Sequence, residues 1–322
     1  MFVLSELTLH GSHRPRLDAL TLTVPAGRTA VVGYSGAGKT SLLNILAGFE
    51  RADLGTVERQ KIKTTNGAQE TAGQLPPGRL PLYWVPQNGG LWPHLTVDQH
   101  LACVQKIQDL SDEILNALDL EDRRSAFPAE LSQGERSRLA MARALASQAE
   151  WLLMDEPLSH VDPVRKPAYW DVVGRWLEKN RISVVFSSHE PETVLRQADH
   201  VICLHEGRAV FQGSTRDLYH SPPSRHVGEF LGPVNWFEPD EALTFLAAEV
   251  RSGSAVPVAV RPERLCLSAE DSSALELVAT PFQAAYAESI VKHVASGKSR
   301  TVLHSVFGEM PRPGQRVGMR IQ

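Results

Sequence analysis

The chain has 322 residues, 42% hydrophobic and 22% charged, a composition that suits a globular protein with room for one large domain and a smaller one. Its formal net charge is −4, with Lys and Arg interspersed among Asp and Glu, so it lacks a basic footprint and nucleic acid is disfavoured as the main partner. No apolar run approaches the roughly 20 residues that span a bilayer, Met1-Phe2-Val3-Leu4 is not a basic leader, and Cys103, Cys203 and Cys266 have no metal-ligand spacing, so membrane association is expected only through partners.

In chain order, the apolar run Thr29-Ala30-Val31-Val32 predicts a strand that stops at Gly33. After a glycine-rich turn, Leu42, Leu43, Ile45 and Leu46 recur at helical spacing until Gly48 ends the helix. Residues 57–80 are polar and rich in Gly and Pro, which predicts a loop or a short antiparallel excursion, whereas 96–149 reads mainly helical and resembles an insertion. Trp151-Leu152-Leu153-Met154 and Ser183-Val184-Val185-Phe186 are unbroken apolar strands, as a parallel sheet covered on both faces requires. Each runs into polar residues, which should therefore converge on one crevice beyond the carboxyl ends of the strands. Thr215 to His220 reads helical and meets Ser221-Pro222-Pro223-Ser224, a linker signal. From about residue 231 short strands follow, including Val256 to Val260 and a closing strand Gln315 to Met319, which predicts a second, strand-rich domain.

Gly33-Tyr34-Ser35-Gly36-Ala37-Gly38-Lys39-Thr40 fits G-x-x-x-x-G-K-[ST] in full, and a predicted strand and helix flank it as the motif demands. Glycines let the backbone curl so that successive N–H groups point at phosphate oxygens, and the following helix offers the positive end of its dipole. Lys39 is expected to reach the β and γ phosphates, and Thr40 to ligate Mg²⁺ through its hydroxyl. Nucleotide binding follows, with Ser41 included in the contacting set.

Met154-Asp155-Glu156-Pro157 ends the most apolar strand, where Asp155 is placed to hold the Mg²⁺ shell and Glu156 to orient or deprotonate a water. Ser187-Ser188-His189 ends the next strand, which puts the His189 imidazole at the same sheet edge. Leu131-Ser132-Gln133-Gly134-Glu135 precedes a helix whose buried face is marked by Leu139, Ala142, Leu145 and Ala146. Ser132 and Glu135 make a capping box, and the same hydroxyl and bare glycine N–H form a second phosphate-binding device. One γ phosphate has little use for both devices from one chain, but two chains could each supply one.

Gly33 to Thr40, Gln87, Leu131 to Glu135, Leu152 to Glu156, Ser159-His160-Val161-Asp162 and His189 stand in the order of the ATP-binding cassette ATPases, and residues 1–220 resemble that family. The resemblance implies an α/β P-loop NTPase fold with a helical subdomain at about 88–149, and two cassettes packed head to tail. It implies that Ser132, Gln133 and Gly134 act in trans on the partner's nucleotide, that Asp162 sits at the dimer seam, and that Gln87 senses Mg²⁺ and water. Catalytic roles then fall to Glu156, His189 and Gln87, metal roles to Thr40, Gln87 and Asp155, and the cofactors are ATP and Mg²⁺. The place where the family has an adenine-stacking aromatic falls at Gly11, between His10 and His13, which are alternatives for it. The signature reads Ser-Gln-Gly-Glu where Ser-Gly-Gly-Gln is commoner, and Val161 stands where leucine is usual.

Asn88 to Val97, with Trp92 inside it, resembles the segment of importer cassettes that receives the membrane subunit. Phe230 to Asn235, followed by Val260-Arg261-Pro262-Glu263, is similar to the β-rich, OB- or TOBE-like regulatory domain of importers of maltose, sulfate, ferric iron and polyamines, which implies such a domain over 221–322. The expected protein is the ATP-hydrolysing subunit of an importer at the cytoplasmic face of the membrane, with a second cassette, permease subunits and a solute-binding protein as partners. A cassette ATPase acting on DNA or ribosomes, and the cassette of an exporter, are the competing readings.

Overall fold

The computed structural model describes residues 1–60, 71–72, 82–104, 110–246, 256–281, 286–306 and 309–322. They divide into two units, Met1–Thr215 and Arg216–Gln322. The first runs β1 (Phe2–Leu9), β2 (Leu17–Val24), β3 (Arg28–Val32), α1 (Lys39–Ala47), β4 (Leu54–Gln60), β5 (Thr71–Ala72), β6 (Leu82–Val85), α2 (Val97–Ala102), α3 (Leu110–Ala117), α4 (Gln133–Ala146), β7 (Trp151–Met154), α5 (Lys166–Asn180), β8 (Ser183–Ser187), α6 (Pro191–Gln197), β9 (His200–His205) and β10 (Arg208–Ser214).

A six-stranded sheet has the order β10-β9-β3-β8-β7-β6, parallel except where β10 pairs with β9. A second sheet, β2-β1-β4-β5, is antiparallel. One core joins them, in which Leu42, Leu43 and Leu46 of α1 pack with Leu4, Leu17 and Phe2 on one side and Val31, Leu153, Val185 and Ile202 on the other. Burying each such side chain stabilises the fold by roughly 2 kcal/mol. The apolar runs of β7 and β8 are buried at every residue, as a sheet covered on both faces demands.

Register sets the site. Val31 pairs with Ser187, and Met154 pairs with both Phe186 and Val85. Gly33, Gln87, Asp155 and His189 therefore all lie just past one edge of the sheet. The helical stretch contains α2, α3 and α4 together with short 3-10 turns at Glu121–Arg123 and Pro128–Glu130. α1 begins after Gly38 and stops at Gly48, both in the left-handed region.

In the second unit α7 (Thr215–His220), which begins at the division, leads to α8 (Arg225–Glu229), β11 (Asn235–Phe237), α9 (Pro239–Phe245), β12 (Val258–Val260), β13 (Leu265–Ala269), β14 (Leu275–Ala279), β15 (Ala287–His293), β16 (Ser299–His304) and β17 (Val317–Ile321). The strands form the small antiparallel sheets β11-β12, β13-β17 and β14-β15-β16. Phe237, Phe245, Leu265, Leu277, Val291, Val302 and Val317 make their common core.

The polar stretch from residue 57 takes the antiparallel one of its two expected forms where it is described, β4 running from Leu54 to Gln60 along β1 and β5 pairing with β4, while 61–70 and 73–80 lie outside the described residues. Two expectations need correction. The closing strand is Val317–Ile321, two residues later than expected: Gln315 N–H bonds the Arg312 carbonyl, and Gly314 is left-handed, so a turn occupies the expected start. Helix α9 was hidden in a stretch read as strands, although Pro239 at its first turn and the Glu238–Glu241 capping box announce it.

Candidate functional site

The loop from Gly33 to Gly38 has a backbone only glycine can follow at its two crowded points. A Cβ on Gly33 (φ 154°) would stand 2.4 Å from the Leu204 carbonyl oxygen, and one on Gly38 (φ 104°) 2.5 Å from that of Arg16. Lys39 turns back into the curl and donates from Nζ to the carbonyls of Gly33 (2.7 Å) and Tyr34 (3.2 Å). Burial lowers its pKa, against the raising effect of the Glu156 and Asp155 charges. Ala37 is buried, its N–H bonding the Tyr34 carbonyl, and Ser41 is buried beside Arg16.

Thr40 Oγ1 donates to Asp155 Oδ2 across 2.7 Å, and Asp155 Oδ1 accepts from Ser187 Oγ at 2.5 Å. Glu156, in left-handed conformation (φ 49°), sits between two polar neighbours. Gln87 Nε2 donates to its Oε2 at 3.1 Å, and His189 Nδ1 lies 3.2 Å from its Oε1. The catalytic and phosphate-loop residues expected from the sequence, Gly33 to Thr40, Gln87, Asp155, Glu156 and His189, are thus gathered at one edge.

Ser132 N-caps α4 as expected: its Oγ accepts from Glu135 N–H (3.2 Å), and Glu135 returns the bond to Ser132 N–H (2.8 Å). The Ser132 amide, then Arg123, hold the Glu135 carboxyl down to about 2. Among the described residues no hydrogen bond joins Ser132, Gln133, Gly134 or Asp162 to the phosphate loop. Gln133 does line a cleft of about 240 Å³ with Gln87, Asp155, Glu156 and His160, but Ser132 and Gly134 do not. Asp162 is exposed, accepting from Val164 N–H at 2.8 Å, and a Cβ on Gly134 would stand 3.3 Å from the His160 carbonyl oxygen. Of the adenine-stacking alternatives, His10 is engaged by Asp53 at 3.0 Å and His13 is exposed, while a side chain at Gly11 would meet the Arg14 carbonyl.

Sequence reasoning missed three side chains here. Ser187 touches both Asp155 and Glu156 N–H; Lys166, almost fully buried, bonds Glu190 beside His189 at 2.5 Å; and Arg143 reaches the loop after Gln87. Burial raises the Glu190 pKa, and the bonds from Lys166 and Thr193 overcome it to leave it below the ordinary value. The polar residues at the end of β8 were the available signal for Ser187, but its partners come from another strand.

The geometry agrees with what the chain resembles among known proteins. A profile of the ABC transporter family matches residues 17–159. The Fe(3+) ions import ATP-binding protein FbpC of Serratia marcescens is 31% identical over 99% of this chain and 97% of its own length. The spermidine/putrescine import ATP-binding protein PotA of Pseudomonas fluorescens is 30% identical over 80% of this chain and 76% of its own, and the molybdenum import ATP-binding protein ModC of a Shewanella strain 35% over 62% and 55%. In fold, a nucleotide-free ATP-binding cassette from an ABC transporter aligns with a TM-score of 0.58 at 21% identity, covering 71% of this chain and 98% of that one. Likeness that runs almost end to end with an import ATP-binding protein, over a site built around a phosphate loop, shows that this chain belongs to the ABC transporter family, in its group of import ATP-binding subunits.

Proposed function

We propose that two copies of this chain close head to tail around two ATP molecules, hydrolyse them, and so drive solute import through membrane permease subunits to which the pair is bound peripherally at the cytoplasmic face. The observation that carries this reading is the Glu156 carboxylate, held between Gln87 and His189 one residue after the Asp155 carboxylate that takes the Thr40 hydroxyl.

Mg²⁺ fits the residues present. Thr40 Oγ1 and Asp155 Oδ2 are two hard oxygen donors already 2.7 Å apart beside the phosphate loop, the ligand type this ion takes. When bound there, with Gln87 nearby, the ion would neutralise charge between the phosphates. The loop amides and Lys39 hold the phosphates, Glu156 accepts a proton from or orients the attacking water, and His189 holds Glu156 and faces the γ phosphate. Ser132, Gln133, Gly134 and Asp162 are assigned to the partner's nucleotide, the hydroxyl and glycine N–H at the start of α4 being a second phosphate-binding device.

A split site makes a switch. Losing one preorganised donor costs about 3 kcal/mol, on the order of a hundredfold in rate, so an open pair hydrolyses slowly and a closed pair quickly. ATP favours closure because only the closed pair offers the second set of contacts. Residues 1–220 are read as the cassette and 221–322 as its regulatory module. Cargo choice is assigned to the permease and a solute-binding protein, since this chain is about equally similar to import proteins named for ferric iron, molybdenum and polyamines. That all of these relatives are import proteins favours import over the exporter and nucleic-acid readings.

Glu156→Gln tests the mechanism. It should abolish turnover and give an ATP-stabilised dimer on size exclusion; a variant that stays monomeric with ATP contradicts the split site.

A further inference from the structure

We propose that Ser187 is a positioning residue for hydrolysis, its single hydroxyl setting the orientation of both carboxylates in the site. The proposal rests on the reading of Asp155 and Glu156 given above.

Ser187 is the last residue of β8 and is completely buried. Its Oγ donates its one proton to Asp155 Oδ1 at 2.5 Å and accepts the Glu156 N–H at 2.8 Å. These bonds have opposite polarity, and a hydroxyl oxygen makes both from a single atom. The first leaves Oδ2 as the oxygen that faces Thr40, and thus decides which edge of the Asp155 carboxylate is offered to a cation.

The second acts on the backbone. Glu156 is not a glycine yet has φ 49°, a conformation that persists only where the surroundings hold it. The bend carries its side chain between Gln87 and His189, and the Ser187 hydroxyl is the acceptor that satisfies its amide within the bend. Register makes this possible: Phe186 pairs with Met154, so the residue after each strand's apolar run meets the other across the sheet. Removing the hydroxyl would take from Asp155, 3% exposed, a donor that no water can readily replace, and would leave the Glu156 amide in its bend without its acceptor.

The full-length chain is tested as Ser187→Ala and Ser187→Thr, with Glu156→Gln in parallel. Three quantities are read: the steady-state rate of ATP hydrolysis, Mn²⁺ affinity of the protein with the non-hydrolysable analogue AMP-PNP by electron paramagnetic resonance, and AMP-PNP affinity in EDTA. Ser187→Ala should lower kcat and weaken Mn²⁺ by about ten- to hundredfold each, the usual cost of losing a partner that orients a ligand, while AMP-PNP affinity in EDTA stays within about twofold. Ser187→Thr, which keeps the hydroxyl, should recover most of both. Unchanged kcat and Mn²⁺ affinity in Ser187→Ala overturn the proposal, as does a loss of metal-free AMP-PNP binding as large as the loss in rate. If Glu156→Gln still turns over ATP, the assignment of the base is what fails; if it is dead while Ser187→Ala is fully active, only the role of Ser187 fails.

Discussion

Arg143 of α4 donates from Nη2 to the Gly89 carbonyl at 2.9 Å, and its guanidinium lies 4.4 Å from the Trp92 ring centroid. It is 3% exposed, and burial lowers its pKa, so the cation is fixed at one place between the signature helix and the loop that follows Gln87. Trp92 stacks on His100 as well as on Arg143 and stays partly exposed. Arg143→Met keeps the length of the side chain and removes the donor and the cation. It should destabilise the first unit by about 2 kcal/mol, read as a lower urea midpoint.

Gly38→Ala should abolish measurable ATP binding, because the new Cβ meets the Arg16 carbonyl at 2.5 Å and Leu17 Cδ2 at 2.8 Å as well as a φ of +104°. Gly297→Ala is the matched control. Its φ is +70° but nothing lies within 4 Å, so only the backbone cost of about 1 kcal/mol applies and ATP binding should not change. Fluorescent-nucleotide titration and thermal unfolding separate the two.

Ser132→Ala removes the cap of α4 and, on the split-site reading, a donor to the partner's phosphate. It should lower stability by about 1 kcal/mol and turnover by roughly a hundredfold, while ATP affinity of the monomer stays unchanged. Equal losses in binding and turnover would remove the assignment in trans.

His304 is completely buried, with Nε2 2.9 Å from Ser289 Oγ and Nδ1 2.9 Å from the Ser305 carbonyl, and burial lowers its pKa. The unfolded chain therefore takes up the proton first, so the stability of the second unit is complete above about pH 6.5 and falls as pH drops below it. After division by the intrinsic rate, which itself slows as pH falls, the protection of the 287–304 segment against hydrogen exchange should be smaller at pH 5.5 than at pH 7.5, and His304→Gln should flatten the difference. Glu135 works in a lower window: its carboxyl is depressed from 4.5 to about 2, so its contribution is full above 4.5 and lost as pH falls toward 2.

Among the described residues Arg261 is a buried cation with no carboxylate in ion-pair contact. Its Nε bonds the Tyr219 carbonyl, Nη1 those of Gly232 and Pro233, and Nη2 that of Gly228, while Tyr219 covers its face and bonds Glu263. Arg261→Met should destabilise the second unit by about 3 kcal/mol, because four carbonyls, that of Gly228 in a buried bond, lose their donor together. Limited proteolysis should cleave this unit first.

Arg261-Pro262-Glu263 shows the limit of reading a chain by itself. As a string the three residues only suggested a family of domains; their purpose is to hold α7, α8 and the turn at Gly232 to the β-rich unit, which requires partners 28 to 42 residues away. The phosphate loop was different. Gly33 to Thr40, the strand before it and the helix after it are contiguous, and their geometry follows from local sterics: glycines where φ is positive, leucines at helical spacing, Gly48 where the helix stops. The capping box at Ser132 and Glu135 was equally legible, since both partners lie within one turn.

What the sequence by itself determined, then, is everything built from neighbours: the nucleotide loop, the strand ends that carry Asp155, Glu156 and His189, the capped signature helix and the apolar faces that bury them. What only the tertiary structure decided is which of those ends meet, that Ser187 stands between Asp155 and Glu156, that Gln87 and His189 hold one carboxylate, and that Arg143 reaches Gly89. The physical reason is register. Parallel strands separated by long crossovers are aligned by packing of the whole core, and no local spacing in the chain records which residue will face which.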